Sequence, residues 1–175
     1  SVGKTDAFKI NNKGNVGIKV TPEDWDAANA FSVLQLGLGA CVGGYGTSTP
    51  HAFLGNNIYF DDTNNRWQYI VNDTATFYHQ NNDGKHIWFT ADSGTADAEI
   101  TLNERMVIMN SGYVGIGTTN PEGPFHVHAL DGANYAGYTM TVKNLDTTNN
   151  QGNTLYVYGG NGSSDATLRV DTISN

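Results

Sequence analysis

One motif constrains this chain more than any other. Ile10-Asn11-Asn12-Lys13-Gly14-Asn15-Val16-Gly17-Ile18 returns as Ile108-Met109-Asn110-Ser111-Gly112-Tyr113-Val114-Gly115-Ile116. Both copies then run through a proline (Thr21-Pro22; Asn120-Pro121) into an alternating strand, Phe31–Leu36 in the first and Phe125–Leu130 in the second. They differ by a loop insertion, Glu23 to Ala30 against Glu122-Gly123-Pro124. A third copy opens at Ile173-Ser174-Asn175. The spacing between copies is too unequal for a solenoid, whose repeats stack at one period. It suits a linear arrangement with modules inserted between copies of a small β unit. Within each unit, Val16 and Ile18, or Val114 and Ile116, share one face of a strand, while Gly17 or Gly115 leaves the other face open to close backbone approach. So narrow a strand with an apolar edge cannot bury itself alone. Strands of sibling chains packed around a common axis would solve that, with Val16, Ile18, Val114 and Ile116 as the interface. An edge strand on a monomeric sandwich is the plainer alternative.

Composition agrees with a β fold. Among 175 residues there are 21 Gly, 21 Asn and 19 Thr, an excess of turn formers and β-branched polar residues that argues against helices. A net charge of −8 leaves no cationic surface to neutralise phosphates, so nucleic acid is not an expected partner. Apolar runs of only a few residues exclude a helical membrane span, and membrane insertion is not expected. No basic-then-apolar segment at the start reads as a signal peptide, and the chain, lacking an initiator Met, reads as beginning partway through a longer product. The single cysteine, Cys41 within Leu38-Gly39-Ala40-Cys41-Val42, reads as a small buried hydrophobe.

Between the first two copies, short alternating runs separated by Asn/Asp/Gly clusters predict an antiparallel meander. The runs are Asn57–Phe60, Arg66–Val71, Thr76–Gln80, His86–Thr90, Glu99–Leu102 and Met106–Met109. After the second copy, Thr139–Lys143, Thr154–Tyr158 and Thr167–Val170 continue the pattern. One helical turn is expected near Pro22–Ala28, with Thr21 as its cap. The organisation is thus a first unit with a Gly-rich linker over 1–50, a meander over 51–109, a second unit over 110–130, and a small β module over 131–175 that leads into a third unit.

Gly112-Tyr113-Val114-Gly115-Ile116-Gly117-Thr118-Thr119-Asn120-Pro121, ending in Phe125-His126-Val127, resembles a repeat of bacteriophage tail-fibre and related virion fibre proteins. Trp67-Gln68-Tyr69-Ile70, Phe77-Tyr78-His79-Gln80, Ile87-Trp88-Phe89-Thr90-Ala91 and Glu104-Arg105-Met106 are similar to a module of the same proteins. The first copy carries Lys19 where the motif has its second glycine. The resemblance implies an all-β, elongated trimeric fibre segment with short intertwined β linker units and antiparallel meander or sandwich modules. It implies a structural virion component, a homotrimer in a tail fibre or other external appendage. Its partners would be other fibre, baseplate or capsid proteins and a host-surface glycan or protein, with adsorption as its role. The alternatives are a glycan-degrading fibre enzyme and a decoration strut without a receptor.

Other motifs point to less chemistry. Gly37-Leu38-Gly39-Ala40-Cys41-Val42-Gly43 looks superficially like a dinucleotide fingerprint, but no helix former follows to receive a pyrophosphate. Asp61, Asp62, Asp92, Asp97, Glu99 and Glu104 fall mainly in turns, where acids ordinarily cap their own backbone; two of them at the right separation would be needed for glycoside hydrolysis. The chain is therefore not expected to be an enzyme. Trp67, Tyr69, Val71, Ile87 and Phe89 read as core. Tyr59, Tyr78 and Trp88 fall on faces with polar neighbours, where they would stack on sugar rings or be buried between chains. His126 and His128 share one face of a strand; three such strands turned inward on a threefold axis would offer six imidazole nitrogens to a transition metal. Apolar Phe125, Val127 and Ala129 compete for that inward face, and no cofactor is otherwise expected.

Overall fold

The structure, a computed structural model, describes residues 7–128. The expected strands at Thr139–Lys143, Thr154–Tyr158 and Thr167–Val170, the 131–175 module, the third copy and the end of the Phe125–Leu130 run lie outside the described residues.

The described chain is all β. Twelve strands form: β1 (Phe8–Ile10), β2 (Val16–Ile18), β3 (Ser32–Leu36), β4 (Ala40–Tyr45), β5 (His51–Asn56), β6 (Tyr59–Asp61), β7 (Arg66–Gln68), β8 (Asp73–Gln80), β9 (His86–Gly94), β10 (Asn103–Ile108), β11 (Val114–Ile116) and β12 (Phe125–Val127). Ten of them make one sheet in the order β1-β2-β3-β4-β5-β8-β9-β10-β11-β12, while β6 and β7 leave it as a separate hairpin. Neighbours are antiparallel except β2–β3 and β11–β12, which are parallel. The sheet crosses residues 50 and 109 without a break, through the β4–β5 and β10–β11 pairs.

Three connections fold over one face of the sheet and make the core. Trp25 from the β2–β3 connection is fully buried against Phe31, Phe53, Tyr59 and Trp67, with ring centroids 5.6–6.4 Å away. Ile58, Tyr59 and Tyr69 come from the β5–β8 excursion and Ile100 from the β9–β10 connection. The sheet contributes Val33, Cys41, Phe53, Ala75, Phe77 and Ala91. Fully burying an aromatic such as Trp25 is worth about 3 kcal/mol.

Two local expectations are corrected. Pro22–Ala28 forms no helical turn: Trp25 N–H turns back to Glu23 O at 3.0 Å, Trp25 bridges to Asp61, and Asp26 N–H donates to Phe60 O at 3.2 Å. Asp26 then caps the next turn by accepting from Ala28 N–H at 2.7 Å. Burial of the Trp25 indole outweighs the weak local preference for a single helical turn. Glu99–Leu102 likewise forms no strand. It follows Trp67–Tyr69 through an isolated bridge, with Ile100 N–H donating to Trp67 O at 2.9 Å, because Ile100 is drawn into the core.

Candidate functional site

The two Gly-Xaa-Val-Gly-Ile segments take the same course. In each, a hairpin precedes the motif, with Ile10 opposite Val16 and Ile108 opposite Val114. The hairpin turns place Gly14 and Gly112 at φ +82° and +85°, and a third such turn sets Gly84 at +74°. This is the left-handed position of a three-residue hairpin loop, which glycine takes without steric cost. Asn11 Oδ1 accepts from Lys13 and Asn15 N–H at 3.0 and 2.9 Å, and Asn81 repeats this with Asp83 and Lys85 at 3.1 and 3.0 Å.

After the motif the chain arches over its own strand and returns in parallel. Lys19 N–H donates to Ala7 O at 3.1 Å and Gly117 N–H to Arg105 O at 3.0 Å; Gly37 and His128 N–H then donate to Ile18 and Ile116 O, each at 2.9 Å. Lys19, at φ +59°, makes the same left-handed turn that Gly117 makes at +71°. The open face at the second glycine of the motif is occupied by the arch itself. A Cβ on Gly17 would lie 2.2 Å from Val20 O, and one on Gly115 would lie 2.7 Å from Thr118 O.

Val16, Ile18, Val114 and Ile116 therefore face away from the arches, onto the side of the sheet opposite the core. Their exposure rises toward the strand ends, to 36% at Ile18 and 39% at Ile116. The register extends this surface across every strand. Ile10, Val16, Leu34, Val42, Leu54, Tyr78, Trp88, Met106, Ile116 and Val127 are successive cross-strand partners, one from each of the ten strands. A hollow of about 570 Å³ lies at the middle of this belt, lined by Leu54, Tyr78 and Trp88 on one side and Asn56, Thr76 and Thr90 on the other. The Tyr78 and Trp88 rings lie 4.9 Å apart at 34°, and the Tyr78 hydroxyl is 2.6 Å from His86 Nδ1.

Tyr59 does not join Tyr78 and Trp88. It is a core residue at 5% exposure, its hydroxyl donating to Gln68 Oε1 at 2.6 Å and lying 2.9 Å from Asp97 Oδ1. Its strand left the sheet, so the alternation that put it on an exposed face no longer applied, and a sugar ring cannot reach it. Burial, with Asp97 beside it, pushes the phenol pKa well up. His126 pairs with Gly115 and so lies on the core side of the sheet, while Phe125 and Val127 pair with Val114 and Ile116 on the outer face. The His126 and His128 rings are 5.9 Å apart, and His126 Nδ1 accepts from Glu122 N–H at 3.3 Å.

Several acids named above already have partners. Asp62 is 2.7 Å from Lys13, whose ammonium holds that carboxyl below its usual range. Asp61 accepts from Asn64, Asp97 meets Tyr59, and Glu99 is 3.6 Å from Arg66. Gly37-Leu38-Gly39 is the turn between β3 and β4, Gly37 at φ +58°.

A second cluster was not singled out from sequence. Tyr45 Oη and His51 Nδ1 lie 3.0 and 3.1 Å from His79 Nε2, and Tyr45 stacks on His51 at 4.3 Å. Burial, reinforced by His51, pushes His79 down to about 4. These residues meet because β4, β5 and β8 are adjacent, a nonlocal fact that no spacing along the chain reveals. The same holds for Ile10, Leu34, Val42, Leu54, Met106 and Val127 of the belt. Among the described residues, no group of three or more His, Cys, Asp or Glu side chains converges, and no helix is long and apolar enough to cross a membrane. No protein-family model, curated protein or solved structure matches this chain.

Proposed function

We propose that this chain is a structural segment of a virion fibre, assembled as a homotrimer and serving adsorption to a host surface. The observation that carries the reading is the pair of arches with one register, Phe8–Leu36 and Met106–Val127, at the two ends of a single sheet. A hairpin followed by a parallel return is a connector: it lets the chain enter and leave a β module while keeping the apolar side of each Gly-Xaa-Val-Gly-Ile strand outward. On this reading Val16, Ile18, Val114 and Ile116 meet sibling chains, and other fibre, baseplate or capsid proteins flank the segment. The appendage contacts a glycan or protein of the host. The sequence resemblance to phage fibres supports the same assignment.

Immunogold labelling of intact virus particles with antibodies against this chain tests it. Label on an external filament is expected; label confined to disrupted capsids, or none, overturns the reading. Adding the purified chain to host cells should slow particle adsorption, and unchanged adsorption kinetics would remove the receptor role.

A further inference from the structure

The ten-residue belt is too large and too apolar to be an ordinary solvent face. Ile10 is 62% exposed, Leu54 57% and Val42 44%, and Phe8 and Phe125 beside the belt are about 60% exposed. Contiguous exposed apolar surface on this scale marks an interaction site. We infer that the outer face of the ten-stranded sheet is where copies of this chain pack against one another, with Leu54, Tyr78 and Trp88 at the centre of the contact. This deepens the self-assembly proposed above and extends it from four residues to the whole face.

Charge chooses the partner. The chain carries −8, yet the belt contains no charged side chain. The row on one side runs Phe8, Ile18, Leu36, Ala40, Asn56, Thr76 and Thr90; the row on the other runs Ser32, Gly44, Ala52, Gln80, His86, Ile108, Val114 and Phe125. Neither holds an Asp, Glu or Lys; the charge beside them is Arg105 at the β10 bulge, whose Nε donates to Thr90 Oγ1 at 2.8 Å. Two strongly acidic molecules repel wherever their acids meet, and no acid stands in these rows to keep two copies apart. A partner of opposite charge would instead need acids here to pair with.

Area agrees. Ten strands about 4.8 Å apart span about 45 Å, and three rows of alternate residues span about 14 Å, so the face covers about 600 Å². Three such faces turned toward a common axis together bury about 1,800 Å², within the range of a standard-size interface. Sheet-on-sheet packing is the ordinary way to bury such faces. Trp88 and Tyr78 then serve as aromatic anchors between copies, the role such residues commonly take at interface centres. The alternative occupant is a saccharide held by Trp88 with Asn56, Thr76 and Thr90.

The test is the mass of the full chain by light scattering, with Leu54→Lys, Val42→Lys and Trp88→Ala, and Asn82→Lys in the exposed turn as control. Wild type and Asn82→Lys are expected to be oligomeric at about 10 µM, and each belt variant to weaken assembly by about 100-fold while keeping the wild-type circular dichroism spectrum. Leu54 and Val42 are far enough exposed that a lysine does not disturb the core, and they stand on different strands, so a folding defect in one leaves the other decisive. Monomeric wild type, or belt variants that assemble as wild type does, overturns the inference. Monomeric wild type whose Trp fluorescence responds to an oligosaccharide library gives the face to sugar instead. A monomer would also remove the homotrimer from the proposed function while leaving virion labelling to stand, whereas belt variants that assemble as wild type does overturn this inference alone.

Discussion

Gly14 and Gly17 lie three residues apart in one motif and are glycine for different reasons, which a pair of substitutions separates. Gly14 needs its backbone: φ is +82°, and a Cβ there would meet nothing within 4 Å. Gly14→Ala therefore costs only the left-handed conformation, about 1 kcal/mol. Gly17 needs its space. A Cβ would sit 2.2 Å from Val20 O and 2.8 Å from Pro22 Cδ, both part of the arch that returns over the strand. Neither atom belongs to a flexible side chain, so the arch must move by about 1 Å, and overpacking of this kind costs about 3 kcal/mol. Gly115→Ala meets Thr118 O at 2.7 Å and should fall between, near 2 kcal/mol. In a domain of this size each kcal/mol lowers Tm by about 3 °C, so the expected losses are about 3, 9 and 6 °C for Gly14→Ala, Gly17→Ala and Gly115→Ala. Thermal unfolding followed by circular dichroism at one fixed protein concentration checks them, since assembly would otherwise shift Tm. Equal losses for Gly14→Ala and Gly17→Ala would refute the arch as the reason for the second glycine.

Three further outcomes are expected. His79 is held neutral by burial, its pKa down at about 4 from an ordinary 6.5, so the unfolded chain binds the proton first. Stability contributed by the neutral ring is complete above pH 6.5 and is lost as pH falls toward 4. The full shift is worth at most about 3.4 kcal/mol, reduced to about 1.5 by the solvent exposure of the ring. His79→Phe should flatten that part of the urea-stability profile relative to wild type, and unchanged pH dependence would count against the buried neutral imidazole. Glu23 and Glu104, raised by burial, act with the opposite sign in the carboxylate range and are common to both proteins. Asn57 is buried at φ +57°, donates to Val71 O and Thr74 O at 3.1 and 3.0 Å, and accepts from Val71 N–H at 2.8 Å. Asn57→Gly, which keeps the backbone conformation, should still cost about 2 kcal/mol in urea unfolding because three part-buried backbone groups lose their partner; a loss within about 0.5 kcal/mol would mean water replaces the amide. Cys41 is 1% exposed and burial pushes its thiol up to about 12, so a disulfide reagent at pH 8 should label it only after denaturation.

The fold class was legible because alternation and turn chemistry are local. The strands at Thr76–Gln80 and His86–Thr90 were found from pattern alone, each continuing beyond its predicted limits. Which side of each strand faces the core was not legible. Along Phe31-Ser32-Val33-Leu34-Gln35-Leu36, the buried positions are Phe31, Val33 and Gln35, while Leu34 is half-buried and Leu36 exposed. A strand apolar on both faces has no preferred inside by composition, and the choice is made by what packs on it from elsewhere. Gln35 faces inward because its Oε1 accepts from Glu23 N–H at 2.9 Å, a partner twelve residues away whose position depends on the arch. The Tyr45–His51–His79 cluster and the belt were hidden for the same reason, since both are products of cross-strand register.

The placement of the buried amides explains why one face of the sheet is left bare. Asn15 Oδ1 accepts from Val33 N–H at 3.0 Å, Gln35 holds Glu23, Gln68 accepts from Tyr59, and Asn57 ties Val71 and Thr74. Asn15, Gln35 and Asn57 fix backbone in or beside the connections that cover the sheet, and Gln68 fixes the Tyr59 side chain on the same side. The longer connections 19–31, 57–72 and 95–102 bring Trp25, Ile58, Tyr59, Tyr69 and Ile100 onto that side, and the arch over 117–124 lies against Gly115 on it. Hairpin turns such as 11–15, 81–85 and 109–113 are too tight to reach the other. Burying amides costs stability unless they are bonded, so a chain that buries four while exposing Leu54, Val42 and Ile10 is not arranged for the greatest stability of a single copy. The amides pin the loops and the register, and the register aligns ten apolar residues in one row. Among the described residues every covering segment is committed to the core side, and a face without acids on an acidic chain favours a second copy as what removes that row from water.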